Sequence, residues 1–492
     1  MPNSSPHLTR QLGLMGLTAT GICSMIGASI YVVPFMIQRN VPGIGPYVLP
    51  AFLFAAVPAL FAALAYAILA SAMPRAGGSY LYASRSLHPY LGFIASFSQW
   101  FGLSIVIGVI SYVIVPFFRD FFAALAWTEL AAALDTGWLR VGLSLLILWT
   151  FVLVNMQGIK WYERTLIPLM VLMFVLGGVV IIAGFSFDHA DFMRVVGTDK
   201  VVSTVEATNF HWPTFLSAAA LLFSSFIGFD SIAQAGGEAS HPTRNLPRAI
   251  GLAILTVGLF YMAFTYAVYH AVPWQFVAAE ATRQDITAAG LLSYLLPAQL
   301  SVLILFGAAI ALLNDLPAML LSVSRLVFSW AEDGIFPRSL AAVHPQKRTP
   351  QRAILLSGGM ATIGILGSHF AGDFFLGIDI MVTSMLVNFL LMSVSVLVLP
   401  LRNPTIASQV VLFTSRKVQL FIALPGILLL SAFLIIHIRK DLLAEVSAWY
   451  FHSTPVWLLV MVFASLVFYR QWRKLKESGV DTEKLFSQLP PE

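Results

Sequence analysis

Two acids stand where acids are costly. Asp230 lies in LLFSSFIGFDSIAQAGG and Asp315 in ALLNDLPAMLL, both stretches otherwise apolar enough to cross a bilayer. An unpaired carboxyl in hydrocarbon costs several kcal/mol, so such a residue marks a proton site, a cation site or a backbone repair. Both are therefore candidates for proton coupling. Asp230 has the stronger case because it adjoins a run of small polar residues; its structural alternative is a hydrogen bond that caps an interrupted helix. For Asp315 the alternative is backbone repair, since Pro317 follows and removes one helical hydrogen bond.

The small polar residues suggest a second kind of chemistry. Residues 18–35, TATGICSMIGASIYVVPF, carry Gly21, Cys23, Ser24, Gly27 and Ser29 and then Pro34. Residues 221–250, LLFSSFIGFDSIAQAGGEASHPTRNLPRAI, carry Ser224, Ser225, Gly228, Ser231 and the pair Gly236-Gly237. A glycine in a helix interior weakens the ladder by roughly 1 kcal/mol relative to alanine. Backbone leaves the helix at membrane depth only where protein or a water-filled cavity encloses it. Freed N–H groups then favour an anion, and freed carbonyls favour a cation or an ammonium. A zwitterionic amino acid has both groups on one carbon. The plainer alternative, close packing through small residues, explains one such segment better than two.

These segments need helices to hold them. The chain has 492 residues, 58% of them hydrophobic and only 10% charged, with a mean hydropathy of +0.84. A soluble domain carries about a quarter charged residues, so the composition specifies an all-α polytopic membrane protein. Twelve stretches reach the length of about 20 residues that a bilayer core requires. They fall at residues 12–37, 46–72, 89–119, 139–156, 162–184, 213–237, 248–271, 287–331, 351–369, 373–400, 418–437 and 454–472. The eighth is longer than one crossing needs, which predicts tilt or helix continuing beyond the membrane. The two soft segments are spans 1 and 6, the first helices of two possible five-helix halves, 12–184 and 213–400. Matching interruptions in two halves point to the binding site of an inverted-repeat transporter. Spans 11 and 12 (418–472) follow, with short polar segments at 1–11 and 473–492.

Basic residues orient the spans. With the N-terminus placed inside, 20 of the 28 Lys and Arg residues fall on the inner side and 8 outside, as the positive-inside rule requires. Both termini are thus expected in the cytoplasm, in a plasma (inner) membrane. The net charge of +5 reflects this topology and gives no reason to invoke nucleic acid. The first apolar segment is too long for a cleavable signal, and a turn and a second span follow it. The polar connector at 186–212 reads as a solvated external loop. Cys23 is the sole cysteine, and His270, His369 and His437 show no metal-ligand spacing, so no cofactor or metal is expected. No nucleophile–base pattern or phosphate loop supports an enzyme.

Three segments give the chain a family likeness. MIGASIYVVP (residues 25–34) resembles the first-span motif of the amino acid–polyamine–organocation (APC) transporter superfamily, whose members have the LeuT-type fold. Residues 225–250, with Glu238, Pro242, Arg244 and Pro247, are similar to that family's sixth span and the loop after it. MPRAGGSYLYASRSLHPYLGF (residues 73–93) looks like its connection between spans 2 and 3. The likeness covers residues 10–400 well and spans 11 and 12 only by hydropathy. It implies a 5+5 inverted repeat with broken helices 1 and 6, plus two C-terminal helices. It also implies a site. The substrate carboxylate would meet N–H groups around Gly27, Ala28 and Ser29. The ammonium would meet carbonyls around Ser24 or Met25 and around Ser224 and Ile227, beside Gly228. Phe226 and Phe229 stand where an aromatic gate would be, and Trp100, Gly102 and Met319 are candidates for the side-chain pocket. Two departures stand out. Cys23 and Ser29 replace glycines common in the motif, and residues 167–184 of span 5 contain no ionisable residue. The second argues against lysine-based coupling.

The expectation is a secondary active transporter of amino acids or related amines, working by alternating access as a proton symporter or an exchanger. Sodium is a less favoured coupling ion, for which Ser322 and Ser324 could supply hydroxyls. A polyamine or cationic amine antiporter is the near alternative. A transporter-like sensor or a channel is the alternative of a different class, with neither a signalling domain nor a continuous polar stripe in the sequence to support it. The chain could work as a monomer or a homodimer.

Overall fold

The computed structural model describes residues 7–27, 29–134, 136–197, 209–371 and 374–491. Among the described residues, twelve helical spans are long and apolar enough to cross a membrane. Span 1 is two helices, Leu14–Met25 and Ser29–Asn40. Spans 2 to 5 are Val48–Ala72, Pro89–Ala124, Gly137–Met156 and Ile159–Phe185. Span 6 is again divided: helix Trp212–Leu222, a tight turn Phe223–Phe226, and a short helix Ser231–Gln234. Spans 7 to 9 are Pro242–Ala271, Ala298–Glu332 and Gln351–Ala371. Spans 10 to 12 are Phe374–Arg402, Arg416–Leu443 and Ser453–Glu477.

Two boundaries differ from the sequence expectation for a physical reason. The eighth range is not one long helix: residues Ala288–Leu292 form a separate short helix, and span 8 starts only after Pro297, which fixes its first φ. Span 7 begins six residues early, at Pro242, because proline costs nothing in a first turn whose N–H groups have no partner.

Spans 1 and 6 are the most enclosed, with 94% and 89% of their apolar windows buried. Two softened helices survive at membrane depth because neighbours shield their free backbone groups. Spans 3 and 8 pack against each other, and span 3 also lies along spans 9 and 10. Span 3 meets span 9 through paired glycines: a Cβ on Gly108 would collide with the carbonyl of Ala361, and one on Gly364 with that of Ile105. Large apolar side chains such as Leu53, Ile182, Leu259, Phe421 and Leu428 point outward, where lipid would cover them. Spans 11 and 12 lie at the periphery of the bundle.

Both termini reach the same end. The backbone N–H groups of Gln11 and Leu12 donate to the Glu238 carbonyl (2.9 and 2.8 Å). The last residues come back to Arg75 and Arg85, which donate through Nε to the carbonyls of Pro490 (3.2 Å) and Gln488 (3.1 Å).

Candidate functional site

The break in span 1 follows from its residues. The first helix ends at Met25, Ile26 is extended (φ −92°, ψ 92°), and the chain resumes as helix at Ser29. In span 6 the extended residue is Ile227 (ψ 130°), followed by Gly228 at φ +135°. That φ excludes side chains at low cost, and Gly228 lies directly against the Ser24 carbonyl. The two breaks therefore touch. The hydroxyls of Ser24 and Ser231 bond at 2.8 Å, and the Tyr261 hydroxyl of span 7 donates to the Met25 carbonyl at 2.7 Å.

Beside the breaks lies a cavity of about 490 Å³. Ser24, Met25, Ser224, Ile227, Asp315 and Met319, all named from sequence, border it. Spans 3 and 10 add Val106, Ile110, Ile378 and Met381. It reaches the end opposite the termini, where Arg119, Asp120, Arg140 and Asp285 line it and Arg119, Asp120 and Asp285 are partly exposed. Other sequence candidates lie elsewhere. Phe226 is buried against Phe52 and Tyr261, and Phe229 stacks on Phe389. Trp100 donates to the Ser357 hydroxyl (3.1 Å), and Gly102 packs on span 10. Ala28 lies outside the described residues, and of Ser29 only its place in the helix is described.

The two acids have opposite surroundings. Asp230 is fully buried and supplied with donors: the Gln99 amide donates to Oδ2, and the Gly228 N–H to Oδ1 (3.2 Å). Gln99 belongs to a network across spans 2, 3, 6 and 10. Asn388 donates to Gln99 Oε1 (3.1 Å) and to the Tyr66 hydroxyl (2.8 Å), and Gln234 donates to the Ser79 hydroxyl (2.7 Å). Asp315 is equally deep, yet its Oδ1 has no hydrogen-bond partner among the described residues. Its carboxylate lies against Gly27, where any side chain would collide with it. The neighbouring Asn314 turns away, donating to Cys23 Sγ at 3.0 Å. Asp315 thus makes no repair to the backbone around Pro317.

The end that carries the termini holds two buried ion pairs. Arg325 grips Glu238 with two bonds (Nε to Oε2 3.0 Å, Nη2 to Oε1 2.6 Å), and Arg85 grips Asp333 likewise (Nη2 to Oδ1 2.9 Å). All four side chains are buried. Sequence reasoning counted both arginines as inner-surface charges. The signal was present: Arg325 sits in LLSVSRLVFSW, where a charge with apolar flanks needs a buried partner. The apolar cavity walls gave no comparable signal.

No group of three or more His, Cys, Asp or Glu side chains that could hold a metal ion occurs among the described residues. A twelve-span helical bundle whose first and sixth helices break against each other beside a cavity defines a permease architecture. The sequence profile of the amino acid permease family matches residues 12–472, and the chain belongs to that family, within the APC superfamily. It is similar to the branched-chain amino acid permease BcaP of Bacillus subtilis, with 27% identity over 487 residues, 96% of this chain and 95% of that one. It is also similar to the low-affinity putrescine importer PlaP of Escherichia coli, with 26% identity over 397 residues and 79% of each chain. The methylthioribose transporter of Bacillus subtilis shares 25% identity over 433 residues, 83% of this chain and 85% of its own.

Proposed function

We propose that this permease is a secondary active transporter of amino acids or related amines, working by alternating access in the plasma (inner) membrane with both termini cytoplasmic. One observation carries the reading: the cavity beside the two broken helices opens toward one end, while buried ion pairs seal the other. A channel would be open at both. The halves 12–184 and 213–400 would act as the repeats that rock about this cavity, with spans 11 and 12 outside them.

For coupling, proton symport or amine exchange fits best, with Asp230 and Asp315 as the candidate acids. Sodium is less favoured: of its two suggested hydroxyls, Ser324 already accepts from Arg325 Nη1 (2.9 Å) and donates to the Leu321 carbonyl (2.9 Å). That leaves the buried Ser322 hydroxyl, without a hydrogen-bond partner among the described residues, as the one that could serve. The test is uptake of labelled amino acids and amines into proteoliposomes, with and without an inward proton gradient and with unlabelled amine preloaded. Uptake that follows the gradient and falls at least tenfold (about 1.4 kcal/mol) in Asp230→Asn identifies symport through that acid. Uptake that needs only internal amine identifies exchange. No uptake of any compound under any drive overturns the proposal.

A further inference from the structure

Of the two candidate acids, the one on the cavity is the less engaged. Asp315 is 6% exposed, faces the cavity, and its Oδ1 meets no donor among the described residues. It stands against Gly27, two residues before the helix that starts at Ser29. A helix start at a chain break is where an anion is drawn. Here the chain's own carboxylate already stands beside it.

The other charged side chains on the cavity are already engaged, the arginines among them. Arg119 pairs with Asp120 and Arg39 with Asp285, each at 2.8 Å, and Arg140 lies over the Tyr112 ring (3.8 Å to its centroid). All belong to the mouth. At the centre stands one carboxyl, that of Asp315, ringed by the apolar side chains of Met25, Val106, Ile227, Met319 and Met381. The two central hydroxyls are engaged, Ser24 with Ser231 and Ser224 with the Leu221 carbonyl (each 2.8 Å). A second carboxylate arriving here would meet another acid and arginines already engaged elsewhere. An ammonium on a hydrocarbon body would meet its counter-charge and an apolar wall.

We infer that Asp315 is the substrate-recognising carboxylate and that this site takes an aliphatic amine with no carboxylate of its own. The inference rests on the transporter reading above and narrows its substrate class. It leaves proton coupling, where present, to Asp230.

The test uses the full chain in proteoliposomes with an inside-negative potential, comparing labelled 3-methylbutylamine and putrescine with leucine and subtracting flux into protein-free vesicles. Amine uptake is expected to exceed leucine uptake by roughly tenfold or more at equal concentration. Asp315→Asn is expected to reduce it roughly thirty-fold or more, while Asp315→Glu keeps a measurable part. Leucine uptake without amine uptake overturns this inference and leaves the transporter reading intact, whereas uptake of neither overturns both. Amine uptake unchanged in Asp315→Asn overturns the role of the residue. If that variant does not fold, the wild-type comparison decides, with thermal stabilisation of the solubilised wild type by each compound as second readout.

Discussion

Asp230 and Asp315 carry the same carboxyl into the same bundle and meet different neighbours. Around Asp230 the chain supplies donors from Gln99 and Gly228 and fixes Gln99 through Asn388 and Gln234. A buried acid held this way needs its donors. Replacing Gln99 with leucine is expected to destabilise the protein by about 2 kcal/mol, since a buried carboxyl loses its donor in a dry interior. Thermal unfolding in detergent would show it as a lowered midpoint. Adding Asp230→Asn to Gln99→Leu should recover part of the loss, because a neutral amide tolerates the missing donor better; a further additive fall would mean that the network does not couple the two. The acids were legible in the sequence as charges in apolar runs. Gln99 and Asn388 were visible in the same way, as lone amides in FSQW and LVNF, but nothing local says that they meet. Their contact depends on how spans 3, 6 and 10 pack, and residue spacing along one helix carries no information about that.

At the scale of the element, the two interrupted helices are a single feature. Gly228 stands at φ +135° with the Ser24 carbonyl in van der Waals reach, so the break in span 6 is shaped to receive the break in span 1. Gly228→Ala adds both a strained φ and a steric clash. The expected cost is roughly 1–3 kcal/mol for the backbone alone, read as reduced monodisperse yield and loss of uptake. A variant with normal yield and normal uptake would show that the contact is not needed. The interruptions were readable because glycine and serine at the centre of an apolar span oppose helix formation. The walls of the cavity were not: Val106, Ile110 and Met381 have the residue types of any lipid-facing helix. Only tertiary packing makes them inward. Span 8 shows the opposite failure, since hydropathy ran past Pro297 and merged two helices that proline separates.

For the whole molecule, the two ends of the cavity differ in kind. Exposed surface pairs line the mouth, whereas buried bidentate pairs, Arg85–Asp333 and Arg325–Glu238, lie at the end carrying the termini. The C-terminal segment packs at that end. Phe486 lies under the Arg85 guanidinium (4.8 Å to the ring centroid), Gln488 accepts from its Nε, and Asn403 donates to the Ser487 carbonyl at 3.0 Å. Breaking either ion pair by removing one partner would strand a buried charge, at about 3–5 kcal/mol, and would confuse opening with unfolding. Deleting residues 481–491 is gentler, since it removes the cover and leaves both pairs. Cys23 is the sole cysteine, so Met319→Cys, on the cavity wall, gives a single reporter once Cys23 is replaced by alanine. Small thiol reagents should label it from the side opposite the termini and only slowly from the terminal side. Truncation should raise the terminal-side rate roughly tenfold, the shift expected when one hydrogen bond to a charged group is lost. Equal rates from both sides in the intact chain would mean that the ion pairs do not seal the cavity. A rate unmoved by truncation would mean that the pairs seal it alone, and that the tail merely rests on a gate already shut.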